Sequence, residues 1–331
     1  MHRIVRVLLA VLLSVVAAGA SAQGAWKPER NVEIVVGSAS GSGTDRTARL
    51  IQSIWIAQRT LDVASVVTNK PGGGGGISWA FLNQHAGDPH YLLVTSYNIV
   101  TNHITGRSTL TYSDFTPLSL LISEYIVYSV RADSPHKSLA DLIAALKKDP
   151  GSVPVAVSSS LGGANHIALG LLVKAAGIDV KKMKVVVYPG TGPAMAALLG
   201  GHVGLFVNSA SATAGPVLNG SARALAIAAP KRLPAPFASV PTLTELGLPV
   251  VADNWRLVVA AKNLSDAQRS YWDNAFKQLA GSEEWNRELR ENHMSNSYRN
   301  SADTTRYIAA QYAEIRDILE ELGLARAPMQ R

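Results

Sequence analysis

Residues 32–49 read VEIVVGSASGSGTDRTAR. The run Val32-Glu33-Ile34-Val35-Val36 has the apolar density of a buried strand. It passes into nine mostly small residues, Gly37 through Asp45. A helix is predicted from Asp45 to about Gln58, with Thr44 or Asp45 able to cap it. A glycine-rich loop between a strand and a helix presents backbone N–H groups at the helix N-terminus, which suits a small anion. A plain strand–helix turn is the competing reading. A dinucleotide fingerprint fails, because Gly41-x-Gly43 is followed by Arg46 where the third glycine belongs. A P-loop fails as well, for want of a Gly-Lys-Ser/Thr.

Outward from this unit, Leu61 to Val67 is an expected strand. Asn69 to Gly76 is a turn holding five successive glycines. Ile77 to His85 suits a short helix and Tyr91 to Thr95 a third strand. The glycine run either lines a ligand or packs closely on another loop. With nothing polar beside it, packing is the favoured reading. Thr116 to Val130 is long, apolar and extended, and reads as a crossing segment. Beyond it, Ser138-Leu139-Ala140-Asp141 opens a capped helix to about Lys148. Strands at Val153–Ser158, Lys184–Tyr188, Val203–Asn208 and Arg223–Ala228 then alternate with helices at Ala164–Ala176, Gly192–Leu199 and Ala210–Leu218. That alternation is a second β/α unit. Arg256 to Ala261 is a further strand. A capping box at Ser265-Asp266-Ala267-Gln268 begins a helix to about Ala280. Amphipathic helices follow at Trp285–Glu291 and Thr304–Leu322.

Sheets of this kind bind ligands beyond the carboxyl ends of their strands. Two loops of the second unit stand there. One is Ser158-Ser159-Ser160-Leu161-Gly162-Gly163-Ala164-Asn165-His166, and the other is Tyr188-Pro189-Gly190-Thr191-Gly192. Both mirror the first loop, and anion-friendly loops facing each other from two units would make a cleft. Enzyme constellations are scarce, with no H-E-x-x-H and no G-x-S-x-G. Ser159 with His166 is the nameable nucleophile–base pair, and no orienting third group accompanies it. His166, at a helix start, reads as a capping or packing residue rather than a base. Lys181, Lys182 and Lys184 read as a solvated turn. No basic stripe with interleaved aromatics points to nucleic acid.

Composition narrows the classes. The chain has 331 residues, 47% hydrophobic and 17% charged, so it carries too much apolar content for disorder. It has no Cys, which excludes disulfides, zinc thiolates, iron–sulfur clusters and a Cys nucleophile. Residues 1–22 read MHRIVRVLLAVLLSVVAAGASA: a basic start, an apolar run too short for a membrane helix, and a small-residue site at Ala20-Ser21-Ala22. This predicts a signal peptide cleaved after Ala22 and an exported, soluble chain. Removal takes Arg3 and Arg6 and no acid, so the formal charge of +7 falls by two.

These residues resemble a known family, the substrate-binding proteins of tripartite tricarboxylate transporters, also called the Bug or TctC type. The markers are Val35 through Arg49, the Asn69-Lys70-Pro71-Gly72 start of the glycine turn, and Asp141-Leu142. They continue through Gly162-Gly163-Ala164-Asn165-His166, Tyr188-Pro189-Gly190-Thr191-Gly192-Pro193-Ala194 and Leu199-Gly200-Gly201-His202-Val203. Val240-Pro241-Thr242 with Glu245-Leu246-Gly247 closes the set. Each piece is weak alone; in this order, over nearly the whole mature chain, they are strong.

The resemblance implies an α/β fold, a two-domain periplasmic-binding-protein-like clamshell (type II-like) with its ligand cleft between the domains. The expected division is residues 23–126 plus 251–331 for domain 1 and 127–250 for domain 2, closing about crossings near Glu124–Val130 and Val250–Asp253. It implies a periplasmic, monomeric, non-enzymatic protein with no cofactor and no metal. Such a protein captures a small organic carboxylate and hands it to membrane permease subunits. A ligand-presenting role for a membrane sensor is the alternative, and an exported hydrolase or lyase a remoter one. In the family the carboxylate is held largely by backbone groups and bridging waters. Carried over, that assigns Ser38, Ala39, Ser40, Gly41, Ser42 and Asp45 in the first loop, with Thr95 and Ser96 completing the pocket. In the second domain it assigns Ser158, Ser159, Gly162, Gly163 and His166, together with Gly190 and Thr191. Asp45 is expected to stabilise a helix N-terminus more than to touch ligand. The chain departs from the family at Gly37-Ser38, where Pro-Phe is usual, at Ser42, often Gly, and at Leu264-Ser265-Asp266, which commonly includes a Pro. A more polar pocket at Ser38 is the consequence.

Overall fold

The computed structural model describes residues 26–158 and 160–326. The expected signal peptide and Ser159 lie outside the described residues.

Val32–Val36 (β1) is buried on both faces, which is why it reads as a nearly unbroken apolar run. Ile34 and Val36 pack towards Trp55, Trp272 and Phe276, while Val35 faces Trp79, Tyr97 and Trp255 on the opposite side. The strand pairs in parallel with Ser65–Asn69 (β2) and Tyr91–Ser96 (β3). The helix Gly43–Gln58 (α1) connects the first two, and Gly76–Asn83 (α2) the second pair. β2 starts later than the apolar pattern implied. Its first pairing is Ser65 with Val32, so Leu61 and Val63 precede the ladder and pack on the core from a loop. A short helix, Asn98–Ile104 (α3), follows β3.

The long segment Thr116–Arg131 (β4) holds the molecule together. Thr116 to Tyr125 pair antiparallel with Asp253–Ala260 (β9), which itself pairs with β3. Ile126 to Arg131 pair with strands of the second unit, Leu205–Ser209 (β7) and Ala222–Ile227 (β8). In that unit Val155–Ser158 (β5) lies parallel between Val185–Tyr188 (β6) and β7. The path across the sheet is β2-β1-β3-β9-β4-β7-β5-β6.

The helices of the second unit are Leu139–Lys148 (α4), Ala164–Ala175 (α5), Thr191–Leu199 (α6) and Ala210–Leu218 (α7). The C-terminal part returns to the first half with Asp266–Gly281 (α8), Glu283–Glu291 (α9), Ser295–Arg299 (β10, antiparallel to β4) and Ser301–Glu321 (α10). The capping boxes expected at Ser138/Asp141 and Ser265/Gln268 are formed. β10 and α3 carry no sequence signal. β10 reads Ser-Asn-Ser-Tyr-Arg, with no apolar alternation to reveal it.

A second tie joins the halves. α10 lays Ile318 and Leu319 against α5 and the loop before it. A Cβ on Gly170 would lie 3.1 Å from Ile318 Cγ1, and one on Gly162 would lie 3.3 Å from Leu319 Cδ2. Lys174 and Glu321 pair at the rim of this contact.

Candidate functional site

The loop between β1 and α1 is braced from below. The N-cap of α1 is Ser42, ahead of the Thr44 or Asp45 expected, and its hydroxyl accepts from the Asp45 N–H at 3.3 Å. Asp45 is 1% exposed. Its carboxylate accepts from the Gly41 N–H at 2.8 Å, Arg49 Nε at 3.0 Å and Asn69 Nδ2 at 2.9 Å. The Asn69 amide also donates to the Ser38 carbonyl at 3.0 Å. Burial alone would raise the Asp45 carboxyl. The donors from Arg49, Gly41 and Asn69 outweigh it and hold the group below its ordinary value. Asp45 is thus a brace beneath the loop, in the first turn of α1.

Above the brace three hydroxyls cluster. Ser38 Oγ lies 2.5 Å from Ser42 Oγ and 2.6 Å from Thr44 Oγ1. They border a cavity of about 190 Å³ at the N-terminus of α1. Thr95 and Ser96, at the end of β3, also line it. Ala39, Ser40 and Gly41 are exposed and sit outside its lining. Gly41 has φ +80°, the left-handed turn that lets its N–H reach Asp45.

The glycine turn contributes more than packing. Gly74 and Gly75 line the cavity with Trp79. The turn also packs closely: a Cβ on Gly37 would lie 3.0 Å from the Gly75 Cα, and Asn98 and Asn102 donate to the Gly74 carbonyl at 3.1 and 3.2 Å. The last wall comes from β9, through Asn254 and Arg256. Arg256 Nη2 pairs with Glu124 Oε2 at 2.6 Å, both side chains 7% exposed. The other Glu124 oxygen accepts from Ser211 Oγ of α7 at 2.9 Å. Asn254 and Arg256 are not among the residues expected from sequence, although a signal exists: Glu124 and Arg256 are charged residues in the interior of strands whose neighbouring positions are largely apolar.

The second unit's residues form their own cluster outside this cavity. Ser158 Oγ accepts from Asn165 Nδ2 and Asn208 Nδ2, each at 2.9 Å. The Ser209 N–H donates to Asn208 Oδ1 at 2.8 Å, which fixes that amide's orientation. With both lone pairs engaged, the Ser158 hydroxyl has only its proton left to offer. His166 is buried, and burial pushes its imidazole down to about 4. The neutral ring's Nδ1 accepts the Gly162 N–H at 3.0 Å, so His166 shapes the loop from within. Gly163 and Gly190 are the N-caps of α5 and α6, neither helix having a side-chain cap. No side-chain cap thus covers the first-turn N–H groups of either helix, which at α6 are those of Thr191 and Gly192 ahead of Pro193. Thr191 is exposed. The structure thus gathers Ser38, Ser42, Thr95 and Ser96 round one cavity, and Ser158, Gly162, Gly163, His166, Gly190 and Thr191 lie outside its lining.

Comparison with known proteins bears on what this arrangement serves. The family described as "Tripartite tricarboxylate transporter family receptor" (TctC) matches residues 48–324. The chain is 30% identical over 319 residues to "UPF0065 protein in gbd 5'region" of Cupriavidus necator, covering 95% of this chain and 94% of that one. A TctC solute binding protein from Polaromonas, solved with no ligand, shares the fold with a TM-score of 0.79 at 24% identity, covering 89% of this chain and 99% of that one. The R. palustris protein Rpa4515, solved with adipate, superposes with a TM-score of 0.74 at 26% identity, covering 90% and 99%. The fold is the two-domain fold of solute-binding proteins, and the chain belongs to the tripartite tricarboxylate transporter receptor family, TctC.

Proposed function

We propose that this protein is a periplasmic receptor that captures a small organic carboxylate between its two halves and delivers it to the membrane subunits of a tripartite transporter. The observation that carries the reading is the cavity at the N-terminus of α1, bordered by the Ser38, Ser42 and Thr44 hydroxyls. Hydroxyl and backbone donors at a helix N-terminus suit a carboxylate without a dedicated lysine. A relative that holds adipate is consistent with it. The domains are residues 23–126 plus 251–331 and residues 127–250, hinged near Glu124–Val130 and Val250–Asp253. Closure would carry Ser158 and the N-termini of α5 and α6 towards the ligand. The protein acts as a monomer, without cofactor or catalysis.

Calorimetric titration with succinate, adipate, citrate and benzoate tests the binding. At least one should bind and raise the melting temperature, and failure of all four would refute the reading. Deleting the gene should abolish uptake of the bound acid. Uptake retained with a lost transcriptional response would move the protein to a sensing role. Amino-terminal sequencing of the exported protein should begin at Gln23.

A further inference from the structure

Arg256 does not figure among the residues expected to meet a ligand. It lies on β9 between Ser96 of β3 and Ile122 of β4, is 6% exposed, and still lines the cavity. A guanidinium so buried persists only with a counter-ion and filled hydrogen bonds. Glu124 supplies the charge, Thr47 Oγ1 accepts from Nη1 at 3.2 Å, and Met294 Sδ lies 3.3 Å from the same nitrogen. That uses three of five N–H donors. Among the described residues no acceptor meets the Nε hydrogen or the second Nη2 hydrogen. The guanidinium packs against Gly43, in the first turn of α1, through its Nη2, Cζ and Nε atoms. A Cβ there would lie 2.7 Å from Nη2 and 3.4 Å from Nε, so glycine is what allows the guanidinium to approach the helix end. A fixed cation with spare donors and the N-terminus of α1 therefore line one cavity, and Arg256 also lines a neighbouring one with Thr47, Glu124, Ser211 and Met294.

We propose that Arg256 is a specificity-determining residue of the pocket: its spare Nε and Nη2 donors take a ligand carboxylate together with the N-terminus of α1, and Glu124 is the counter-ion that keeps the guanidinium buried and in place. The inference rests on the carboxylate-binding reading above. Side-on pairing of a guanidinium edge with two oxygens is the geometry that separates a carboxylate from an amide of the same shape. Glu124, tied to Ser211 of α7, also links this contact to the second half of the molecule.

The test is calorimetric titration of the wild type, R256K and the charge-neutral double variant R256Q/E124Q with succinate, adipate, citrate and benzoate, each compared with its neutral amide. The double variant leaves no lone buried charge, and circular dichroism checks that it is folded. For the acid that binds, R256Q/E124Q should lose about 30-fold or more in affinity, and R256K about tenfold, as expected for a lost charge-assisted hydrogen bond. The preference for acid over amide should collapse with it. A folded double variant that binds within twofold of the wild type, with its preference intact, would overturn the assignment and leave the carboxylate reading standing. Should the double variant not fold, R256K carries the test, and unchanged affinity there overturns it equally. A wild type that binds none of the acids would overturn both.

Discussion

Asp45 braces the loop after β1 from beneath and does not line the cavity itself. Its carboxylate collects the Gly41 N–H, Asn69 and Arg49. Asp45→Ala should therefore leave buried donors unpaired and cost about 2–3 kcal/mol in urea unfolding. Asp45→Asn, which keeps one acceptor oxygen, should cost less. Gly41 answers to backbone strain rather than to space, since a Cβ there would meet nothing within 4 Å while φ is +80°. Gly41→Val should cost at least about 1–2 kcal/mol and weaken ligand binding, whereas Gly41→Asn, tolerant of that conformation, should retain most of both. His166 gives a pH signature. Its folded value of about 4 lies below the usual 6.5, so the stability it carries is complete above pH 6.5 and is lost as pH falls towards 4. The stability gap between wild type and His166→Gln should shrink by about 3 kcal/mol over that window, read from denaturation midpoints. The comparison is needed because Asp253, raised by burial to about 6, works in the opposite sense, its contribution growing as pH falls through that value.

Among the elements, α10 and α5 form the contact whose sequence gives least warning. Gly170 sits mid-helix, where glycine is otherwise unfavourable by roughly 1 kcal/mol relative to alanine. It is there because Ile318 occupies the space a side chain would need. Gly170→Val should overpack that seam and destabilise by about 1–3 kcal/mol, despite improving nothing but local propensity. Because the same helix packs Leu319 on Gly162, the variant should also alter ligand affinity. A melting temperature and affinity both equal to wild type would show that α10 does not bear on the loop.

For the molecule as a whole, β4 is a single strand that belongs to both pairing systems, passing from β9 to β7 and β8 between Tyr125 and Ile126. The return crossing is as short: the Ile126 N–H donates to the Ala252 carbonyl at 3.0 Å, one residue before β9 begins. The proposed hinge runs through these two adjacent crossings, and the α10–α5 seam would limit how it swings. Small-angle scattering should record a smaller radius of gyration on saturation with whichever of succinate, adipate, citrate or benzoate binds. An unchanged profile with ligand bound would argue that the halves do not close on it.

Strand and helix order could be read from residue pattern because apolar periodicity and capping are local. Val32 through Gln58, Ser138 through Lys148 and Ser265 through Gly281 each announce themselves within a few turns. The loops after β1, β5 and β6 were legible for the same reason, since small residues between a strand and a helix signal exposed backbone wherever they occur. Long-range pairing left no such trace. β10 exists because β4 offers it an edge, and the glycine turn becomes a cavity wall because Asn98 and Asn102 draw it there. Arg256 meets Glu124 across 132 residues of chain, and the buried pair depends on partners that only folding brings within hydrogen-bonding reach.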